Sequence, residues 1–253
     1  MNANGFEKLH GIDEMDEKQV LTLCRTAEQL TRQKLSGTIE LYRPVKVQTG
    51  RTPRQTGARR IRRTNVMKRI GILGAGTWGM ALARMLTVSG NDVLVWSAIE
   101  KEIDSLSTTR KHPNLPQMKI PDELRFTKSI EEVCKDKDIL LFAVPSVFVR
   151  STAAKARPYV ADGQIIVDVA KGIEPDTLYT MTEILADELG KEGGPKGVRL
   201  VALSGPTHAE EVAIDLPTTI VSASKDRKAA AYLQAVFTKK VMLVFTNDDK
   251  QSV

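Results

Sequence analysis

Beyond residue 66 the chain alternates short apolar runs with stretches of helical periodicity. Residues 69–73, 92–96, 138–144, 164–169, 199–203, 217–222 and 241–245 read as strands. Helical patterns occupy 77–89, 99–106, 146–157, 178–189, 206–214 and 226–237. Ser129-Ile-Glu-Glu132 has the spacing of a capping box and opens a further short helix. In 178–189, Leu178, Met181, Leu185 and Leu189 fall on one face, Asp176 or Thr177 is placed to cap the start, and Gly190 ends the pattern. Pro206 sits where a helix tolerates proline, in its first turn. Ser89-Gly90-Asn91 reads as a turn, Pro145 as a strand stop, and Pro113, Pro116 and Pro121 mark a loop. Regular alternation of strand and helix predicts an α/β fold: a doubly wound, mainly parallel sheet covered on both faces.

The first 66 residues read differently. Residues 1–15 are polar and expected to be disordered, and 16–34 can form an amphipathic helix with Val20, Leu23, Ala27 and Leu30 on one stripe. Residues 43–63 hold eight basic residues, no acidic one, two prolines and two glycines, too little apolar surface to fold alone. The chain's net charge of +6 falls within residues 1–66, and residues 67–253 balance to zero. Two readings of the basic stretch stand, a tether for nucleic acid or an acidic membrane and a solvated linker. The linker is favoured over nucleic acid because no aromatic residue interleaves residues 51–63 to stack on bases. The expected organisation is an extension over 1–66 and a dinucleotide-binding domain over 67–253. Met67 also reads as a natural start directly before the first strand.

No apolar run reaches the roughly 18 residues that a membrane span needs. The acidic, polar start has no secretory h-region. Cys24 and Cys134 offer neither a disulfide framework nor metal spacing, and His10, His112 and His208 are scattered, so no zinc site is expected. These features fit a reducing, cytoplasmic setting.

The chemistry concentrates at the predicted carboxyl ends of strands, where open α/β sheets bind ligands. After the first strand comes Gly74-Ala75-Gly76-Thr77-Trp78-Gly79. Gly74 permits the tight turn, Gly76 lets backbone approach a pyrophosphate, and Gly79 lets the helix pack on the strand. Unpaired N–H groups at the helix start then face the phosphates. Three other segments meet the same rule: Pro145-Ser146 with Phe148, Ala170-Lys171-Gly172, and Ser204-Gly205-Pro206-Thr207. The Lys171 ammonium can point at a substrate oxygen or stand solvated. Thr207 can hold an anion or simply cap a helix. Trp78 can cover the pyrophosphate and Phe148 the nicotinamide, though packing roles are favoured for both. The end of the second strand, Trp96-Ser97-Ala98-Ile99-Glu100, has no acidic residue at the ribose position and only Lys101 as a nearby cation, so NAD and NADP both stay open.

Four motifs carry a resemblance: Gly74-Ala-Gly-Thr-Trp-Gly-Met-Ala-Leu-Ala83, Ala143-Val-Pro-Ser146, Ala170-Lys-Gly-Ile-Glu174, and Leu203-Ser-Gly-Pro-Thr-His-Ala-Glu-Glu-Val212. Together with Leu216-Pro-Thr-Thr219 and Phe245-Thr-Asn-Asp248, they resemble NAD(P)-dependent glycerol-3-phosphate dehydrogenase over about residues 67–249. The resemblance implies a Rossmann-type domain with Thr77, Trp78, Phe148 and Ala209 at the cofactor, and Lys171, Gly205 and Thr207 near the substrate. It implies hydride transfer between NAD(P)H and dihydroxyacetone phosphate, giving sn-glycerol 3-phosphate for phospholipid synthesis, in a protein that is usually a homodimer. Ala98 stands where many bacterial members carry a basic residue, and His208 where others have phenylalanine. In the family, Thr-Asn-Asp leads into a helical domain with the general-base lysine, and Lys250-Gln-Ser-Val253 does not follow that pattern. The expectation is cofactor binding with little turnover by this chain. The alternative is a non-catalytic nucleotide-binding module tethered by its basic segment.

Overall fold

The computed structural model describes residues 67–238 and 242–247. The predicted helix at 16–34 and the basic stretch at 43–63 lie outside the described residues. The elements run β1 (Arg69–Leu73), α1 (Thr77–Val88), β2 (Asp92–Trp96), α2 (Glu100–Thr109), β3 (Arg125–Thr127), α3 (Ile130–Cys134) and β4 (Ile139–Phe142). Then follow α4 (Val149–Ala156), β5 (Ile165–Asp168), α5 (Met181–Leu189), β6 (Arg199–Ser204), α6 (Ala209–Ala213), β7 (Thr218–Ala223), α7 (Arg227–Phe237) and β8 (Met242–Asn247). The sheet order is β3-β2-β1-β4-β5-β6-β7-β8. Every neighbouring pair is parallel except β6 with β7. This is the doubly wound, mainly parallel sheet expected from the alternation of elements.

Side chains alternate between two core layers, because successive strand residues face opposite sides. Ile70, Ile72, Ile139, Leu141, Ile165 and Val167 pack into the layer that holds α1 and α7. Leu73, Leu140, Phe142 and Ile166 pack into the other, with α4 and α5. Both faces are covered, so β4 reads Ile-Leu-Leu-Phe and is wholly buried. Strand order reverses between β2-β1 and β4-β5, which opens a crevice beyond the carboxyl ends of β1 and β4. No helix among the described residues is long and apolar enough to cross a membrane.

Several expected boundaries move, each for a local reason. α5 begins at Met181, not Leu178, because Thr180 and Glu183 form a complete capping box. Leu178 then lies outside the helix at φ 58°, exposed, and Ile184 joins Met181, Leu185 and Leu189 on the buried face. The capping box at Ser129 forms by half. The Ser129 hydroxyl accepts from the Glu132 N–H, but the Glu132 carboxylate accepts from the Thr127 hydroxyl at 2.5 Å instead. Pro206 stays in a loop, and α6 starts at Ala209 with His208 as its N-cap. The stretch 146–157 splits into a 3-10 turn at Ser146–Phe148 and the α-helix α4. β3 is a three-residue strand that has no counterpart in the sequence-based reading.

Candidate functional site

Twelve residues line a cleft of about 390 Å³ at the carboxyl ends of β1, β4 and β5. They come from the glycine turn (Gly76, Thr77, Trp78), the β4 end (Ala143, Val144, Pro145), the β5 end (Val169, Ala170, Lys171) and the β6–α6 segment (Thr207, Ala209, Glu210). Six residues singled out from sequence therefore meet here: Gly76, Thr77, Trp78, Lys171, Thr207 and Ala209. Gly74, Gly79 and Gly205 do not line the cleft but shape its walls. Phe148 is outside the lining, on the 3-10 turn beyond Pro145, with 56% of its surface exposed.

The three glycines of the turn do three different things. Gly74 has φ 120°, and a Cβ there would stand 2.5 Å from the Ala143 carbonyl oxygen. A Cβ at Gly79 would meet the Gly74 carbonyl oxygen at 2.3 Å. Both contacts are closer than atoms can approach, so these positions are fixed by packing. Gly76 is different: its backbone is ordinary for any residue (φ −65°, ψ 178°), and a Cβ would meet nothing within 4 Å. The space beside Gly76 is the cleft itself.

Gly76 is also the N-cap of α1, and no side chain caps the helix. Among the described residues no hydrogen bond takes up the backbone N–H of Gly76, Thr77 or Trp78. No acidic residue sits in the first turn of α1. Unpaired N–H groups and the positive end of a twelve-residue helix thus meet an open cleft, the arrangement that holds phosphates.

Lys171 faces this turn from the end of β5. Its Nζ donates to the Gly205 carbonyl oxygen at 3.2 Å, tying the β5 loop to the β6 end. Gly172, at φ 139°, lets the loop pass Ser146, whose Cβ would be 3.2 Å from a side chain placed there. Three residues beyond Lys171, the Glu174 carboxylate is gripped by both arms of Arg150 at 2.7 Å each and accepts from the Thr177 hydroxyl at 2.6 Å. Those bonds hold the Glu174 carboxyl down at about 2, the guanidinium being the larger cause. Thr207 is buried and lines the cleft, but it precedes the N-cap of α6. The expectation that it occupies a helix's first turn is therefore corrected, since Gly205-Pro206-Thr207 closes on itself through the Thr207 N–H and the Gly205 carbonyl at 2.9 Å.

Two residues near the cleft are absent from the sequence-based reading of the site. His112 reaches the turn from the loop before β3, its Nε2 3.2 Å from the Ala75 carbonyl oxygen. Asp168 ends β5, 5% exposed, and accepts from the Ala170 N–H at 3.1 Å. Burial pushes its carboxyl up to about 7, against the opposing pull of that N–H. A carboxylate in an otherwise apolar strand is the available signal for Asp168; His112 has none, because its partner lies 37 residues away.

Comparison with known proteins agrees with this geometry. Residues 69–230 match the family described as NAD-dependent glycerol-3-phosphate dehydrogenase N-terminus. Glycerol-3-phosphate dehydrogenase [NAD(P)+] 2 of Lactobacillus delbrueckii subsp. bulgaricus is 65% identical over 187 residues, covering 74% of this chain and 56% of that protein. The corresponding protein of Agathobacter rectalis is 45% identical over 184 residues, covering 72% of this chain and 53% of that one. Among solved structures, the glycerol-3-phosphate dehydrogenase of Coxiella burnetii superposes with a TM-score of 0.64 at 29% identity, over 73% of this chain and 55% of that chain. The chain thus spans about half the length of the curated relatives it matches. With its glycine turn, its Lys171 loop and its β6–α6 segment all inside the matched span, the chain belongs to the NAD-dependent glycerol-3-phosphate dehydrogenase family, of which it carries the N-terminal region.

Proposed function

We propose that the cleft binds NAD(H) or NADP(H) and serves the reversible conversion of dihydroxyacetone phosphate to sn-glycerol 3-phosphate in the cytoplasm. The observation that carries this reading is the uncapped start of α1 beside the open space at Gly76. It fits a pyrophosphate, because among the described residues the N–H groups have no other partner and no side chain fills the approach. Thr77, Trp78 and Ala209 would flank the bound cofactor, whose nicotinamide supplies the hydride chemistry. Lys171, held on Gly205, would place its ammonium near the substrate's C2 oxygen, with Thr207 beside it. Residues 67–253 act in this reading as the cofactor-binding domain and residues 1–66 as an extension; Phe148 would close over the nicotinamide side only by moving from its exposed turn.

Alcohol oxidation needs a base for the hydroxyl proton as the hydride leaves, worth about 10²–10⁴-fold. Lys171 and Glu210 are the cleft's titratable side chains. Lys171 orients the substrate oxygen in this reading and does not take that proton. With neither Lys171 nor the exposed Glu210 assigned as that base in this reading, the 253-residue chain is expected to bind cofactor with little turnover. The test is a titration of the purified chain with NADH and NADPH, followed by energy transfer from tryptophan, since Trp78 lines the cleft. Saturable binding that weakens for Gly76→Ala supports the reading. Absence of binding of both nucleotides at millimolar concentration overturns it.

A further inference from the structure

We propose that His112 is a positioning residue for the glycine turn: its Nε2–H holds the Ala75 carbonyl and thereby aims the Gly76 N–H toward the cleft. The proposal rests on the cofactor reading above. His112 is buried in the segment between α2 and β3, and its two ring nitrogens have different partners. Nδ1 lies 3.2 Å from the backbone N–H of Asn114, a group that only donates, so Nδ1 carries no proton. The ring proton therefore sits on Nε2, which is 3.2 Å from the Ala75 carbonyl oxygen, a group that only accepts. Both bonds demand the same tautomer.

The Ala75 carbonyl and the Gly76 N–H belong to one planar trans peptide, so they point in opposite directions. Holding the carbonyl on His112 fixes the direction of the N–H. Ala75 is buried, and among the described residues His112 provides the hydrogen bond its carbonyl receives. Without it, the peptide is free to turn over, since Gly76 tolerates either orientation at low steric cost. A turned peptide would present a carbonyl oxygen, not a donor, to an incoming phosphate. The segment that carries the ring is itself fastened. Arg110, at φ 52°, donates to the Leu124 and Asp122 carbonyls at 2.6 and 3.0 Å, and the Leu115 N–H donates to the His112 carbonyl at 3.1 Å. Leu115, Met118 and Leu124 are buried in the same core layer as α1. His112 thus joins a braced loop to the glycine turn.

Two substitutions separate the two bonds. In His112→Gln the amide nitrogen can replace Nε2 and keep the bond to Ala75. In His112→Asn the amide oxygen can replace Nδ1 and keep only the bond to Asn114. The full 253-residue chain and both variants are titrated with NADH, and their thermal midpoints are recorded. The expected ranking is near-parental affinity for His112→Gln and about tenfold weaker binding for His112→Asn, the scale of one lost hydrogen bond. Equal binding by the two variants, or tighter binding by His112→Asn, overturns the proposal, because a role confined to the loop's own fold predicts that result. A second readout is the ¹⁵N spectrum of the histidine-labelled chain, with the His112 signals assigned by their loss in His112→Gln. A proton on Nε2 is expected, and a proton on Nδ1 overturns the linkage. A parent chain that binds neither NADH nor NADPH overturns the cofactor reading instead, and the tautomer then decides whether His112 holds the turn.

Discussion

Asp168→Asn should stabilise the chain increasingly as pH rises. Asp168 is 5% exposed at the end of β5, between β4 and β6, and among the described residues its partner is a single backbone N–H at 3.1 Å. Burial raises its carboxyl to about 7 from an ordinary value near 3.8. The folded chain therefore keeps a proton there that the unfolded chain releases. For a group raised on folding, the favourable contribution is complete below the unfolded value and is lost as pH climbs through the folded one. The window is roughly pH 4 to 7, and above it the folded chain bears a buried carboxylate. Across that window each pH unit is worth about 1.4 kcal/mol, so the whole effect is about 4 kcal/mol, of which about 3 kcal/mol accrues between pH 5 and pH 8. Asparagine keeps an oxygen to accept from the Ala170 N–H and never ionises. The thermal midpoint of Asp168→Asn relative to the parent should thus rise by about 5–10 °C between pH 5 and pH 8. Thermal unfolding by circular dichroism at the two pH values measures this directly, and other titrating groups cancel in the difference. A midpoint difference that does not change with pH would refute the burial argument.

Gly76→Ala should leave the midpoint within about 1 °C and weaken NADH binding, whereas Gly79→Ala should cost several kcal/mol, since its Cβ would stand 2.3 Å from the Gly74 carbonyl. Thermal melts beside NADH titrations separate the two effects. Ala98→Arg should raise affinity for NADPH relative to NADH, because it adds a cation that can pair with a 2′-phosphate at the β2 end, where Lys101 is flanked by Glu100 and Glu102. The ratio of the two dissociation constants is the readout, and an unchanged ratio places the ribose elsewhere. Thr180→Ala should lower stability by about 1 kcal/mol in urea unfolding, the scale of a lost N-cap, because the capping box with Glu183 would go with it.

What sequence reveals here depends on how far apart the determinants lie. β1, the glycine turn and α1 fall within twenty consecutive residues, and the expected strand bounds 69–73 and 92–96 are those observed. The start of α5 is obscured by competing local signals. Asp176, Thr177 and Thr180 are all residues that cap helices, and Leu178 keeps helical spacing with Met181. Only the Thr180–Glu183 pair closes both bonds, and the turn before it needs a positive φ at Leu178. Pro206 satisfies a rule for helix starts, yet the close approach of Gly205 to the Thr219 carbonyl and Ile220 fixes that segment as a loop first. β3 has three residues and no periodicity to detect. It exists because Leu94, Val95 and Trp96 offer a free parallel edge to Arg125–Thr127.

The site divides the same way, and the division explains its design. Glycines of the turn are legible because their backbone demands are local: Gly74 sits at φ 120° and Gly79 packs on the Gly74 carbonyl, although Gly74 also packs on the distant Ala143 carbonyl. Lys171 is legible as a strand-end residue, but its placement is not, because three separate attachments produce it. Gly172 passes within contact of Ser146, Arg150 grips Glu174, and Lys171 itself donates to Gly205. These attachments come from the ends of β4, α4 and β6, so no single displacement frees the loop. In the proposed reading the Lys171 ammonium, bonded to the Gly205 carbonyl, is a positioned charge, which is what stabilising charge on a substrate oxygen requires. In the proposal above His112 plays the corresponding part at the glycine turn, bonded to one peptide from 37 residues away. In the proposed reading the glycine turn and the Lys171 loop are both held by protein contacts, which lowers the ordering cost of binding there.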